Sequence, residues 1–262
     1  MTLFKHEIKM NLKSLLIWSS CVGIFCFGCL LLFESLEGSI EPMADMYSQM
    51  GAFSTALGLD RLNISTIEGY YATEIALIFS IGGAMFSAMT GACMVSKEEE
   101  GHTSEFLNTL PFGRKQIIIA KYFASVAIIT LFQFLCIFWE LLGFFFANAM
   151  PETDCYVLYH LAQFFMQWEI GSLCFLLSSV CKRKQIGAAL GFALLLYAMD
   201  FMCRVVPDIE NIKYITPYYF SNASDIFTTK ALDESMVIIC FTCIILSSVS
   251  SFLVYIKRDL AA

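Results

Sequence analysis

The sequence lacks the motifs of common nucleotide-binding and metal-dependent enzymes. It contains no G-x-x-x-x-G-K-[ST] segment and therefore no P-loop to hold the phosphates of a nucleotide. It also contains no H-E-x-x-H segment, and its only histidines are His6, His102 and His160. No two C-x-x-C segments stand at the spacing of a zinc site, and most of the eleven cysteines lie in apolar runs, where cysteine behaves as a small hydrophobe. We therefore expect this chain to bind no metal and no cofactor.

Long apolar runs dominate the sequence instead. Hydrophobic residues make up 58% of its 262 residues, whereas soluble domains contain about 45–50%. A bilayer core about 30 Å thick requires roughly 20 apolar residues in a helix, and backbone in lipid must satisfy its own hydrogen bonds. The runs predict an all-α integral membrane protein, a single transmembrane domain over 1–262 with six spans: 15–33, 71–95, 117–147, 156–180, 186–206 and 236–256.

The basic residues are distributed unequally between the two ends of these spans. With the N-terminus inside, twelve of the 16 Lys and Arg residues fall in cytoplasmic segments, and the other four are Arg61, Arg204, Lys213 and Lys230. This asymmetry follows the positive-inside rule, and the reverse orientation violates it. We therefore predict a multi-pass protein of the cell membrane with both termini in the cytoplasm.

The segment before the first run has two faces. Leu3, Phe4, Ile8 and Leu12 recur at helical spacing, while Lys5, Lys9 and Lys13 form a separate stripe. This pattern is typical of a helix lying in the cytoplasmic interface, with apolar stems in lipid and ammonium groups in water. An ordinary basic flank that sets the topology explains it equally well.

The loop at 96–116 combines a charged run with a short apolar helix. We expect the carboxylates of Glu98, Glu99 and Glu100 to be solvated. Residues 103–110 are predicted to form a helix that exposes Phe106, Leu107 and Leu110 on one side and ends at Pro111. Exposed apolar side chains on a short helix indicate a surface for a protein partner.

Two carboxylates lie inside predicted spans, Glu140 in the third and Glu169 in the fourth. A charge at mid-span costs about 2.5–3.5 kcal/mol on insertion scales, so both should face protein or water. Consecutive spans are usually neighbours, and the two carboxylates are expected to share a polar seam with Gln133, Gln163 and Gln167. This seam is either a substrate pathway or a structural hydrogen-bond network. His160, near the outer end of the fourth run, is expected to be a partly hydrated interface residue.

Four segments together resemble the permeases of type 2 ABC exporters. EEEGHTSEFLNTLPFGRKQIIIAKYFA at 98–124 is similar to their coupling segment, although Gly101–His102–Thr103 stands for Gly-Thr and Phe106–Leu107 for a Leu pair. GSLCFLLSSVCKRKQIGAALG at 171–191 is similar to their fourth-to-fifth helix junction. ITPYYFSNASDIF at 215–227 is similar to an external segment, and YIKRDL at 255–260 to the closing Arg-Asp.

The resemblance implies six helices, an elbow helix over 3–13 and a cytoplasmic coupling helix. It also implies two permease chains, as a homodimer or heterodimer, with two separate ATP-binding subunits that hold ATP and Mg. The bilayer is then the chain's other partner, and no nucleic acid is expected. Residues 98–111 would dock on the ATPase through Glu98, Glu99, Glu100, Gly101, Thr103, Glu105, Phe106, Leu107, Leu110 and Pro111. The substrate is left open, and export rests on the resemblance.

Two other classes of function remain open at this point. An intramembrane hydrolase or transferase would use Glu140, Glu169 or His160. A sensor or immunity protein would use the same scaffold without transport. A neighbouring gene for a P-loop ATPase would favour the permease over the enzyme, and stimulation of ATP hydrolysis by substrate would favour it over the sensor.

Overall fold

The computed structural model describes residues 2–48, 51–59, 61–109 and 111–258. Within these ranges the chain is helical without β-strands, which confirms the prediction of an all-α fold. A π-helical turn, Tyr71–Ile75, joins α3 to α4, and a 3₁₀-helix, Pro207–Tyr214, follows α9. The α-helices are α1 Thr2–Ser48, α2 Ala52–Leu57, α3 Ile67–Tyr70, α4 Ala76–Met94, α5 Ser96–Glu100, α6 Ser104–Thr109, α7 Arg114–Ala147, α8 Thr153–Val180, α9 Ile186–Val205, α10 Ala223–Thr229 and α11 Glu234–Lys257.

Five helical segments of the described chain are long and apolar enough to cross a membrane. They are Leu3–Phe33, Ile67–Met94, Arg114–Ala147, Ile186–Val205 and Glu234–Lys257. Each overlaps one of the predicted runs. The sixth run coincides with α8, which has 28 residues but carries more polar side chains than the other five, among them His160, Gln163, Gln167 and Glu169. The described chain therefore has the composition of a multi-pass membrane protein, with these five helices as candidate spans.

The first helix differs from its prediction. The sequence predicts an interfacial elbow over 3–13, a span over 15–33 and then an external loop, whereas α1 runs without interruption from Thr2 to Ser48. No proline occurs before Pro42 and no glycine before Gly23, so nothing in the first turns breaks the backbone hydrogen-bond ladder. A separate elbow helix is therefore not present in this structure.

The second span lies at the centre of the bundle. α4 packs against α7, α8 and α9, while α1 packs mainly against α7 and α11 against α8. The α4–α8 contact depends on two glycines: a Cβ added to Gly91 would lie 2.2 Å from the carbonyl oxygen of Gly171. Small residues allow membrane helices to approach this closely.

The outer surface of the bundle is apolar. Large exposed hydrophobic side chains occur on α1, α7 and α11, for example Leu16, Phe25, Phe134, Phe145 and Leu246. On a soluble monomer such a surface would be an aggregation liability, whereas in a bilayer it is the lipid-facing surface. Polar side chains of the spans are consequently found between helices.

Gly91→Ala should destabilise the isolated chain by about 1–3 kcal/mol, because the added methyl group meets backbone that has no room to move. Gly191→Ala is the matched control, since nothing lies within 4 Å of its added Cβ and alanine is the better helix former. The measurement is thermal unfolding in detergent. Equal midpoints for the two variants would show that α4 and α8 are not packed as closely as described.

Candidate functional site

The loop after the second span is tied to the rest of the chain by its three consecutive glutamates. Glu98 Oε1 accepts a hydrogen bond from Lys121 Nζ at 2.8 Å. Glu99 Oε2 accepts one from Arg258 NH2 at 2.7 Å, and Glu100 Oε2 accepts one from the backbone N–H of Lys184 at 2.7 Å. The expectation of solvated carboxylates is therefore wrong for Glu98 and Glu99, which form partly buried ion pairs, whereas Glu100 is exposed.

Lys121 is at the centre of this arrangement and has no exposed surface. Its ammonium group donates to Glu7 Oε1 at 2.6 Å, to Glu98 Oε1 at 2.8 Å and to the carbonyl oxygen of Met94 at 3.0 Å. Glu7, which is 1% exposed, also pairs with Lys97. We call the set of Glu7, Lys97, Glu98, Glu99, Lys121 and Arg258 the basal network.

Backbone contacts fix the elements that carry the basal network. Ser178 Oγ accepts hydrogen bonds from the backbone N–H groups of Val95 and Ser96, both at 3.0 Å, where α4 passes into α5. Arg258 donates to the carbonyl oxygen of Ser179 at 2.7 Å. The start of α5, the end of α8 and the end of α11 are thereby held at one end of the bundle.

The network keeps Glu98 ionised although its side chain is partly buried. Burial raises the pKa of this carboxyl, but the charge of Lys121 and the hydrogen bonds from Lys121 and Thr103 outweigh that effect, so its pKa is lowered. Thr103 Oγ1 donates to Glu98 Oε2 at 2.7 Å. Buried charges are tolerated in proteins when they are paired in this way.

The remaining loop residues only partly match the predicted docking surface. Gly101, Thr103 and Pro111 are exposed. Leu107 is half-buried and packs against the core of its own chain, so the prediction of a fully exposed Leu107 is wrong. The side chains of Glu105 and Phe106 and the whole of Leu110 lie outside the described residues.

The first intramembrane carboxylate belongs to a buried polar cluster. Glu140, with no exposed surface, accepts hydrogen bonds at Oε2 from the hydroxyl groups of Tyr71 at 2.8 Å and Tyr156 at 3.0 Å. His160 Nε2 lies 3.1 Å from the same oxygen. His160 is thus buried within protein, and the expectation of a partly hydrated interface residue is wrong. Tyr71 opens the π-helical turn, whose extra residue per turn displaces its neighbours from regular α-helical positions.

The second carboxylate lies elsewhere, so the predicted single seam does not form. Glu169 lines a small cavity with Met236 and Cys240 on the side of α8 that meets α11. It follows His160 by nine residues, which is about two and a half helical turns and places it on the opposite face of α8. Glu140 and Glu169 therefore contact different helices.

Gln133 and Gln167, two of the three glutamines of the predicted seam, have different surroundings. Gln133 Nε2 donates to the carbonyl oxygen of His160 at 2.5 Å, beside the Glu140 cluster. Gln167 is fully buried against Gly83, and neither polar atom of its amide has a hydrogen-bond partner among the described residues. The spacing of Tyr156, His160, Gln163 and Gln167 at intervals of four, three and four places these residues on one face of α8, a pattern that sequence reasoning missed.

Within the described ranges, no group of three His, Cys, Asp or Glu side chains is placed to hold a metal ion. The described part of the chain is thus a multi-pass helical membrane protein. Buried ion pairs join the loop between its second and third spans to Glu7 near the start of the chain and to Arg258 near its end.

The family of this membrane protein is given by a sequence-family model. The model described as ABC-2 family transporter protein matches residues 1–260. The chain therefore belongs to the ABC-2 transporter family, and the predicted family resemblance is confirmed. Members are the membrane components of transporters and associate with ATP-binding subunits, so the chain is a transporter permease and not itself the catalytic subunit. No curated protein matches the sequence.

Lys121→Met should lower the stability of the chain by about 3 kcal/mol, because it leaves two glutamates at the base without their shared cation. Lys115→Met is the matched control, since Lys115 is an exposed lysine on the same helix. Adding Glu98→Gln to Lys121→Met should recover part of the loss, because Glu98 is then neutral, whereas Glu7 keeps its ion pair with Lys97. Thermal unfolding in detergent measures all three, and a Lys121→Met variant as stable as Lys115→Met would contradict the basal network.

Proposed function

We propose that the chain is the membrane-spanning permease subunit of an ATP-driven ABC exporter and forms half of the translocation pathway. A second permease chain supplies the other half, and two copies of an ATP-binding subunit hold the ATP and Mg. Family membership supports the class, and α8 is proposed as the sixth span because it is long enough and lies between spanning helices. We propose that the protein resides in the cell membrane.

The observation that carries this proposal is the attachment of the loop at 98–111 to the basal network. A loop that receives force from an ATPase must pass it on to the spans. Here α5 is joined by ion pairs to α1 through Lys97 and Glu7, to α7 through Lys121, and to the end of α11 through Arg258. Displacement of this loop would therefore act on three helices at once. We propose the short helix α6, Ser104–Thr109, as the coupling helix.

The same contacts support the proposed orientation. The start of α1, the loop at 96–116, the loop at 181–185 and the end of α11 meet at one end of the bundle. These segments carry eleven of the twelve basic residues that the sequence assigns to one side, and the twelfth, Lys121, pairs with Glu7 and Glu98 at the same end; this supports a cytoplasmic location for this end and for both termini.

An intramembrane enzyme is the weaker candidate. Glu140 and His160 are close enough to exchange a proton, but both are enclosed, and neither lines the cavity of about 1020 Å³ that adjoins Glu7, Lys97 and Glu98. A substrate would need access to them. A sensor on the same scaffold would leave ATP hydrolysis by the complex unresponsive to substrate.

The orientation is tested by single cysteines in a cysteine-free background. Lys115→Cys and Ala231→Cys place exposed thiols at opposite ends of the bundle. An impermeant maleimide added to intact cells should label Ala231→Cys and spare Lys115→Cys, and both should react after permeabilisation. Labelling of Lys115→Cys alone in intact cells would reverse the orientation.

Docking is tested by the double substitution Phe106→Ala with Leu110→Ala. Burying one such side chain in a groove contributes about 1.5–3 kcal/mol, so losing two should weaken ATPase binding at least tenfold. Co-purification of the ATP-binding subunit should fall, or its ATP hydrolysis should no longer respond to substrate, while membrane insertion is unchanged. Lys115→Ala is the control for a charged residue nearby. Normal ATPase binding and export by the double variant would show that this loop does not couple the two subunits.

A further inference from the structure

A large cavity lies beside the basal network. It has a volume of about 1020 Å³, at the upper end of the range of small-molecule sites, and it is bounded by α1, α4, the start of α9 and the loop that carries α6. The lining of α4 extends from Phe86 to Cys93, seven residues or about 10 Å along the helix axis, and continues to Lys97 in α5. The cavity is therefore long as well as large.

The two long walls of the cavity differ in polarity. The α1 wall is the more polar one and presents His6, Asn11 and Ser14 together with the apolar Leu3 and Met10. The opposite wall is mostly apolar and presents Phe86 and Met89 of α4 with Ile128 of α7, with Thr90 as a polar side chain among them. An occupant that satisfies both walls has polar groups along one side and an apolar body along the other, because burying a hydroxyl or amide against a purely apolar ligand costs free energy.

The charged residues are confined to the end of the cavity at the loop. Lys97 is paired with Glu7, and Glu98 is paired with Lys121 behind the wall. Lys184 also lines this end; its side chain is exposed, and its Nζ has no ion-pair or hydrogen-bond partner among the described residues. Glu7 and Glu98 are thus each paired with a lysine, and Lys184 is the lining lysine without an ion pair in the described chain; Glu100, which does not line the cavity, accepts a hydrogen bond from its backbone N–H.

We propose that this cavity binds an amphiphile whose anionic headgroup, a phosphate or a carboxylate, contacts Lys184 and whose apolar body packs on Phe86, Met89 and Ile128. The ligand's own hydroxyl or amide groups face the α1 wall. The proposal rests on the proposed function in one respect, that the bound amphiphile is the transported substrate. Binding itself requires neither ATP nor the ATP-binding subunit.

Trp18 provides a reporter for occupancy. Its ring centroid lies 6.1 Å from that of Phe86, which lines the deep end of the cavity. The chain has three tryptophans, so Trp139→Phe with Trp168→Phe leaves Trp18 as the only indole. Quenching of its fluorescence by a brominated acyl chain reports that the chain has entered the cavity.

The experiment titrates this two-substitution background in detergent with lysophosphatidylglycerol or lysophosphatidylcholine carrying the same brominated acyl chain. The anionic lipid should quench Trp18 saturably and at a lower concentration than the zwitterionic lipid. Lys184→Gln should weaken binding of the anionic lipid about fivefold, the effect of losing about 1 kcal/mol from one partly exposed ion pair, and should remove the preference between the two lipids. Lys182→Gln, an exposed lysine two residues away that does not line the cavity, should change neither.

A second variant tests the position of the ligand. Ser14→Phe fills the deep end of the cavity and should abolish saturable quenching by both lipids, while thermal unfolding shows whether the variant is folded. Saturable quenching that persists in folded Ser14→Phe would overturn the proposal, because the lipid would then contact Trp18 from outside. If the two lipids bind the unmodified cavity with equal affinity, Lys184 does not recognise an anionic headgroup and that part of the proposal is overturned. Equal effects of Lys184→Gln and Lys182→Gln would overturn it in the same way.

These outcomes are distinguishable from failure of the proposed function. Lipid binding is measured without ATP and without the ATP-binding subunit, whereas docking is measured by co-purification. If the ATP-binding subunit docks normally but the cavity shows no preference for the anionic lipid, the proposal of an anionic amphiphile is rejected and the proposed permease function is retained. If the cavity prefers the anionic lipid but no ATP-binding subunit associates with the chain, the binding site is retained and its role in ATP-driven export is rejected.

Discussion

A fully buried lysine is the constraint on which the base of this protein depends. An ammonium group has three donors, and Lys121 directs them to Glu7, to Glu98 and to the carbonyl oxygen of Met94. An uncompensated charge in this position would cost several kcal/mol, so α1, α4 and the loop after it must hold their positions around α7. The depth of Lys121 thereby determines where the first and second spans meet the third.

Buried polar groups are likewise compensated in the interior of the bundle nearer its other end. Glu140 is enclosed by hydroxyl groups of Tyr71 and Tyr156 and by the ring of His160, so no bare carboxylate meets lipid. The exterior can then remain apolar over α1, α7 and α11. The interior therefore contains two polar clusters at different depths, one held by ion pairs around Lys121 and one held by hydrogen bonds around Glu140. Gln167 is one of several exceptions, a buried amide without a partner in the described chain.

Hydropathy was sufficient to predict the all-α class and the approximate positions of the long helices, because each span must contain a long apolar run. It was not sufficient for α1, whose continuity depends on the absence of a helix breaker and not on hydrophobicity. The partners of Glu98 and Glu99 could not be predicted, since Lys121 and Arg258 lie 23 and 159 residues away in the sequence. The separation of Glu169 from the His160 face of α8, by contrast, follows from helical spacing alone.

The basal network and the large cavity share side chains, and this has a thermodynamic consequence. Glu7, Lys97 and Glu98 line the cavity and also hold the loop in place. A ligand that changes the positions of these groups must change the energy of the loop, and a partner that moves the loop must change the affinity of the cavity by the same factor. In the proposed exporter, substrate and ATPase would therefore influence each other through a short set of ion pairs. No long-range pathway through the spans is needed for that coupling, because both surfaces are at the same end of the bundle.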